Sequence, residues 1–294
     1  MATNRLIGSM PALVTPLTPD GDIHEGDLEV LVGRAVDDGA VGVLVAGSTG
    51  EGALLEPEQR VLLTRRARAV TDATVVAGAS GSTVTALHAD VERLTEAGAD
   101  LVLVLAPTTY VLAPEELVDL HLGVAERAST PTLVYHIPQL TGSSLTPETV
   151  RQLADHPRIV GMKDSSPDAA RRRTFVEATR DVAGFEVLTG HAPTLQAALE
   201  AGASGSITAI ANLRQRQVVA LHRAVGSADT SAADGLQAAL TSITDGLVAV
   251  GASMPATLKA ALQLDGVVAE RWCCPPLRSV GPGRLDHVRT ALLR

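Results

Sequence analysis

The stretch Gly161-Met162-Lys163-Asp164-Ser165-Ser166 carries one of two lysines in a 294-residue chain whose other 22 basic residues are arginines. Arginine stays charged at physiological pH, whereas lysine can lose its proton and condense with a carbonyl. Lys163 closes a short apolar run that begins at Ile159. That spacing puts it at a strand end, where low-dielectric walls would disfavour the ammonium form. The bland reading is an inward ion pair or a side chain snorkelling to water. The second lysine, Lys259, lies in the helical pattern PATLKAALQL and reads as a solvated helix-face residue.

The chain has two tyrosines, Tyr110 and Tyr135, and both fall where a strand is expected to end. A phenol donates and accepts protons, as dehydration of a carbinolamine requires; the bland alternative is a half-buried rim residue. Gly47-Ser48-Thr49-Gly50-Glu51-Gly52 is a glycine-rich loop with two hydroxyls and backbone N–H groups that can meet an anion. No Gly-Lys-Ser/Thr follows it and its glycines stand at 47, 50 and 52, so it is neither a Walker loop nor a dinucleotide fingerprint. By itself it is equally well a tight turn.

These groups need elements to position them. Apolar runs rich in Val, Ile and Leu recur at 8–15, 42–46, 74–78, 101–105, 132–135, 158–163, 186–189 and 205–209, each closed by Gly, Ser, Thr or Pro. Helical patterns lie between them, three of which open at Pro57, Pro114 and Pro147 with acids close behind. Strands apolar on both faces, alternating with helices, imply a parallel sheet covered by helices. Eight such units fit a closed (β/α)₈ barrel of about 250 residues better than an open doubly wound sheet. Residues 1–225 are read as the barrel and 226–294 as two or three further helices packed on it as one structural unit. Strand C-termini then form the working face, bringing Ser48, Thr49, Tyr110, Tyr135, Lys163, Ser165, Gly190 and Ile207 towards one mouth.

Composition narrows the function classes. A formal charge of −9 with scattered arginines argues against a nucleic-acid surface. No apolar run approaches the roughly 18 residues of a membrane span, and no signal-peptide core is seen at the start. The adjacent pair Cys273-Cys274 suits neither a structural disulfide nor a metal site, so a reduced cytoplasm is expected.

Taken together, VTPLTPDGDI (14–23), GSTGE (47–51), YHIP (135–138), GMKDSS (161–166) and GSITAIAN (205–212) resemble the dihydrodipicolinate synthase and N-acetylneuraminate lyase family in order and spacing. The resemblance runs from about residue 8 to about residue 265. It implies a TIM barrel with C-terminal helices, a homo-oligomer (tetramer or dimer), and condensation of pyruvate or another 2-oxo acid with a lysine, needing no metal or cofactor. On this likeness Lys163 is the Schiff-base lysine and Tyr135 the proton shuttle. Ser48 and Thr49 bind the substrate carboxylate and relay protons, and Ile207 offers its main-chain carbonyl to bound pyruvate. Gly190 and Ser165 join the substrate site.

The departures bear on the substrate. Leu140 stands where the synthases carry an arginine that binds a second carboxylate. The synthases' intersubunit tyrosine position falls on Thr109, with Tyr110 one place later. His191-Ala192-Pro193 follows Gly190 where sialic-acid lyases usually show Asp-Glu. The expectation is therefore a class I aldolase acting on pyruvate, an aldehyde and a 4-hydroxy-2-oxo acid, of the 2-keto-3-deoxy sugar acid or 4-hydroxy-2-oxoglutarate type. The alternatives are dihydrodipicolinate synthase, a dehydratase using the same imine, and a 2-oxo-acid-binding sensor or scaffold without turnover.

Overall fold

The computed structural model describes residues 6–293. Among them eight strands are all parallel: β1 (Gly8–Pro11), β2 (Gly42–Val45), β3 (Thr74–Ala79), β4 (Leu101–Leu105), β5 (Thr132–His136), β6 (Ile159–Asp164), β7 (Glu186–Thr189) and β8 (Gly205–Thr208). From β2 to β7 each pairs with its successor, and β1 pairs with β8. An isolated bridge between Ala12 and Leu44 brings β1 and β2 together. Val41 N–H donates to the Ser9 carbonyl at 3.1 Å and Leu13 N–H to the Leu44 carbonyl at 2.9 Å alongside it. The expected barrel is present. Strand β1 is shorter than its apolar run suggests, because the Val14 N–H is taken by the Asn212 side chain at 3.1 Å and the ladder stops.

Helices α1 (Glu25–Asp37), α2 (Pro57–Val70), α3 (Val84–Glu96), α4 (Pro114–Arg127), α5 (Pro138–Thr141), α6 (Pro147–Ala154), α7 (Ala169–Thr179), α8 (Leu195–Glu200) and α9 (Ala211–Gly226) form the outer layer. The three Pro-first helices begin where expected. In α2 and α4 the N3 side chain reaches back to the cap: Gln59 accepts from Glu56 N–H at 3.0 Å and Glu116 from Ala113 N–H at 2.7 Å.

Alternation along the strands divides the core in two. Met10, Leu44, Val76, Leu103, Leu133, Leu188 and Ile207 fill the barrel interior, while the other strand faces join one large cluster with the helices. With so few aromatics, dense packing of Val, Leu, Ile and Ala supplies most of the apolar burial.

After the barrel come α10 (Thr230–Val248), α11 (Met254–Leu264) and α12 (Leu285–Leu292). Helix α10 lies beside α9 and is tied to the β7–α8 corner by Gln237, which donates to the Ala192 carbonyl at 3.0 Å and accepts from Gln196 N–H at 2.8 Å. Helix α11 is buried on all sides along Ala256–Leu262.

Two outer-layer histidines set an acid limit on stability. Burial lowers both His121 on α4 and His222 on α9 to about 4. The unfolded chain takes up these protons near pH 6.5 and the folded chain does not, so their contribution is complete above pH 6.5 and fades as pH falls towards 4. Each is worth about 3 kcal/mol across that window. The melting temperature should therefore decline steadily from pH 6.5 to 4.5, and a flat profile would contradict the burial of both rings.

Candidate functional site

Strands β5 and β6 are paired so that Tyr135 lies opposite Lys163 and His136 opposite Asp164. Side chains alternate across a strand, so the first pair points into the barrel and the second into the helix layer. The inward pair meets directly: Lys163 Nζ donates to Tyr135 Oη at 3.5 Å and stands 4.4 Å from the ring centroid. Lys163 is 3% exposed.

The outward pair anchors that strand end. Asp164 Oδ1 lies 2.8 Å from His136 Nδ1, and its Oδ2 lies 2.8 Å from Arg172 Nε on α7. Ser166 adds bonds from its N–H at 3.1 Å and its hydroxyl at 3.0 Å. Burial pushes the Asp164 carboxyl up, but the His136 bond, the Arg172 guanidinium and the Ser166 amide together hold it below the usual carboxylate range. Fully desolvated charges persist where each is paired and hydrogen-bonded, and here they fix the backbone on either side of Lys163.

Above the pair opens a cavity of about 820 Å³, lined by Ser48, Thr49, Tyr135, Leu140, Lys163, Ser165, Gly190, His191 and Ile207 among others. Of the residues named from sequence, Ser48, Thr49, Tyr135, Leu140, Lys163, Ser165, Gly190 and Ile207 are brought to one space. Tyr110 is not: it is 77% exposed on the β4–α4 loop, outside the cavity of its own chain. Leu140 sits on the short helix α5 at the cavity edge and is 59% exposed. No carboxylate clamp stands at that position.

The Ser48–Thr49 loop is held in an unusual shape. Ala46 and Glu51 both take positive φ, +52° and +60°, a region costly for residues with a side chain. Gly52 packs so tightly on the Ala46 carbonyl that a Cβ there would overlap it. Arg60 of α2, bidentate to Asp90 of α3, donates to the Gly52 carbonyl at 3.0 Å, and Thr15 Oγ1 donates to the Gly50 carbonyl at 2.5 Å.

The second lysine corrects the sequence reading. Lys259 is not on a solvated face: it is 1% exposed and ion-paired with Glu51 of this loop. The reason is the helix that carries it. Within Met254–Leu264 of α11 Lys259 is the lone charged residue, so the helix has no polar face and is buried all round. That composition was the available signal.

Sequence reasoning also passed over Gln139 and the buried anchors. Gln139 donates to the Ser165 carbonyl at 2.8 Å. His191 Nδ1 lies 2.9 Å from Thr194 Oγ1, which in turn takes a bond from Arg172 at 3.1 Å. Burial, with Arg172 nearby, lowers the His191 pKa, Asp164 opposing, so the ring at the cavity wall is held towards neutrality. Among the described residues no cluster of His, Cys, Asp and Glu is arranged to hold a metal ion, and no helix is long and apolar enough to cross a membrane.

The sequence profile described as the dihydrodipicolinate synthetase family matches residues 5–293. The chain belongs to that family, and it is a carbon–carbon lyase. Among relatives, a 4-hydroxy-tetrahydrodipicolinate synthase of Haloarcula marismortui is 31% identical, with 97% of this chain and 92% of the relative covered. A probable 2-dehydro-3-deoxy-D-pentonate aldolase, YjhH of Escherichia coli K12, is 28% identical over 97% and 96%. Among solved family structures, that of YagE, a prophage protein of E. coli K12 in complex with pyruvate, superposes with a TM-score of 0.91 at 27% identity, covering 98% of this chain and 97% of that one.

Gly190 supplies a test of how tightly the site is built. A Cβ there would overlap Ser165 Oγ and come within 2.8 Å of Lys163 Cε. Gly190→Ala should therefore displace the lysine and lower kcat/KM by roughly 10²-fold with the melting temperature little changed. Activity within threefold of the parent would show that the lysine tolerates another position.

Proposed function

We propose that the chain is a class I aldolase in which Lys163 forms an imine with a 2-oxo acid. The observation that carries this is a sequestered amine at the C-terminal end of a barrel strand, within hydrogen-bond reach of a buried phenol, at the floor of a cavity walled by the Ser48–Thr49 loop. In the cleavage direction the Lys163 amine adds to the C2 carbonyl of a 4-hydroxy-2-oxo acid, and the carbinolamine loses water with a proton supplied by Tyr135. The 4-hydroxyl then gives up its proton, the C3–C4 bond breaks to release an aldehyde, and its electron pair passes into the iminium to form an enamine. Protonation at C3 and hydrolysis return pyruvate and the free lysine. Ser48, Thr49 and their amides hold the carboxylate, Ile207 offers its carbonyl, and Ser165 and Gly190 leave room for the imine.

Leu140 supports one substrate class over another. An aldehyde bearing its own carboxylate meets an apolar side chain there and leaves its charge poorly paired, so a 2-keto-3-deoxy sugar acid or similar is the better fit. The complex of YagE with pyruvate and the aldolase name of YjhH support this reading. The second reading, 4-hydroxy-tetrahydrodipicolinate synthase, is favoured by the name of the Haloarcula relative. A dehydratase would use the same imine. Exposed Tyr110, Val111 and Leu140 give the molecule an apolar rim beside the site, and we take it as the face of a homo-oligomer. Residues 1–225 and 226–294 are read as one structural unit, and the free thiols of Cys273 and Cys274 fit a reducing cytoplasm.

Borohydride reduction with pyruvate, followed by mass spectrometry, tests the imine. The expected result is a covalent adduct on the Lys163 peptide that Lys163→Ala abolishes; an adduct on Lys259, or one surviving that change, overturns the assignment. In the same assays kcat/KM for condensation should be higher with glyceraldehyde than with aspartate semialdehyde. A tenfold lead for aspartate semialdehyde would instead establish the synthase reading.

A further inference from the structure

Glu51 ends the Ser48–Thr49 loop in the left-handed region, at φ 60° and ψ 22°, with its side chain shut away from water. Such a residue persists only where its surroundings over-determine it. Two groups from the far end of the chain do so. Lys259 of α11 ion-pairs with one carboxylate oxygen, and the Cys274 N–H donates to the other at 2.6 Å. The lysine in turn donates to the Trp272 carbonyl at 2.5 Å, so it ties both the loop and the 272–274 segment to α11. The Cys274 thiol donates to the Leu54 carbonyl at 3.1 Å, adding a further tie just beyond Glu51. Inside the loop, Glu51 N–H donates to the Ser48 carbonyl at 3.2 Å and Gly52 N–H to the Gly47 carbonyl at 3.0 Å. Turning Glu51 would therefore turn Ser48 and Thr49 as well.

We propose that Lys259 is a positioning residue for the carboxylate of the 2-oxo acid: by pairing with Glu51 it fixes the loop whose hydroxyls and amides receive that anion. The proposal rests on the assignment of Ser48 and Thr49 to the carboxylate. Two physical effects act together. The ion pair holds the left-handed turn, and it neutralises a carboxylate buried behind the cavity wall that would otherwise repel an anionic substrate. Lysine suits the position because a compact ammonium meets a carboxylate and a carbonyl in a closed space, where the broad arginine fork would need more room. Both lysines of this arginine-rich chain then serve one reaction, one by bonding to the substrate and the other by shaping its cradle.

The test compares pyruvate with methyl pyruvate, which presents the same ketone without the negative charge. Lys259→Met should raise the KM for pyruvate at least tenfold, with imine trapping on Lys163 retained at saturation. The penalty for methyl pyruvate should be under threefold, because the carboxylate interaction is missing from the start. Glu51→Gln preserves the side-chain shape and an acceptor for the Cys274 N–H, so it serves if Lys259→Met does not fold. It should raise the pyruvate KM by a smaller factor, about threefold to fivefold, again sparing methyl pyruvate. A merely structural role would lower the melting temperature and the trapped fraction while leaving KM unchanged. An unchanged pyruvate KM in the folded Lys259 variant, or in the Glu51 variant if the first is unfolded, overturns the proposal. Equal penalties for both ketones do the same. Failure of the parent enzyme to trap pyruvate would instead remove the aldolase reading itself.

Discussion

The register of β5 against β6, set after an irregularity between Thr132 and Leu133, is the constraint on which the site depends. It places Tyr135 beside Lys163 and His136 beside Asp164. A shift of one residue would send the lysine into the helix layer and the aspartate into the barrel. The Asp164–His136–Arg172 cluster opposes such a shift, since moving any member would strand charge in a space without water. The cavity-facing side of the strand owes its precision to the side that faces the helices.

The same logic recurs around the mouth. The Ser48–Thr49 loop departs from regular structure at Ala46 and Glu51, and charges buried on both flanks hold it there, Arg60–Asp90 on one and Lys259 on the other. The C-terminal helices are thus more than a cover for one side of the barrel, because α11 reaches the Ser48–Thr49 loop through a single ion pair. Gly190 and Gly52 complete the pattern as positions where a neighbouring group occupies the volume of a Cβ.

Much of this was legible in the residues alone. Strands buried on both faces are continuous apolar runs, so all eight were readable, and their C-terminal ends named the working face. Lys163 and Tyr135 stood out because the chain is poor in lysine and tyrosine. Lys259 was misplaced because its partner lies near the opposite end of the chain, and a long-range ion pair leaves no local period to read. The absence of any other charge in Met254–Leu264 was the clue that the helix is enclosed. The His136–Asp164 pair was hidden for a different reason: in sequence both residues merely end apolar strands, and only the register shows that they share the outer face. Tyr110 illustrates the converse: β4 ends at Leu105, so the tyrosine lies out on the following loop rather than at the strand end, exposed and outside the cavity of its own chain.

The central claim is that one lysine reacts while the other holds the loop that receives the substrate's carboxylate. A crystal structure of the unmodified protein soaked with pyruvate tests both halves in one observation. The account predicts continuous density from Lys163 Nζ to the pyruvate C2, the carboxylate seated on Ser48 and Thr49, and Glu51 still paired with Lys259. Pyruvate bound without a covalent link, or its carboxylate held by another wall of the cavity, would contradict it.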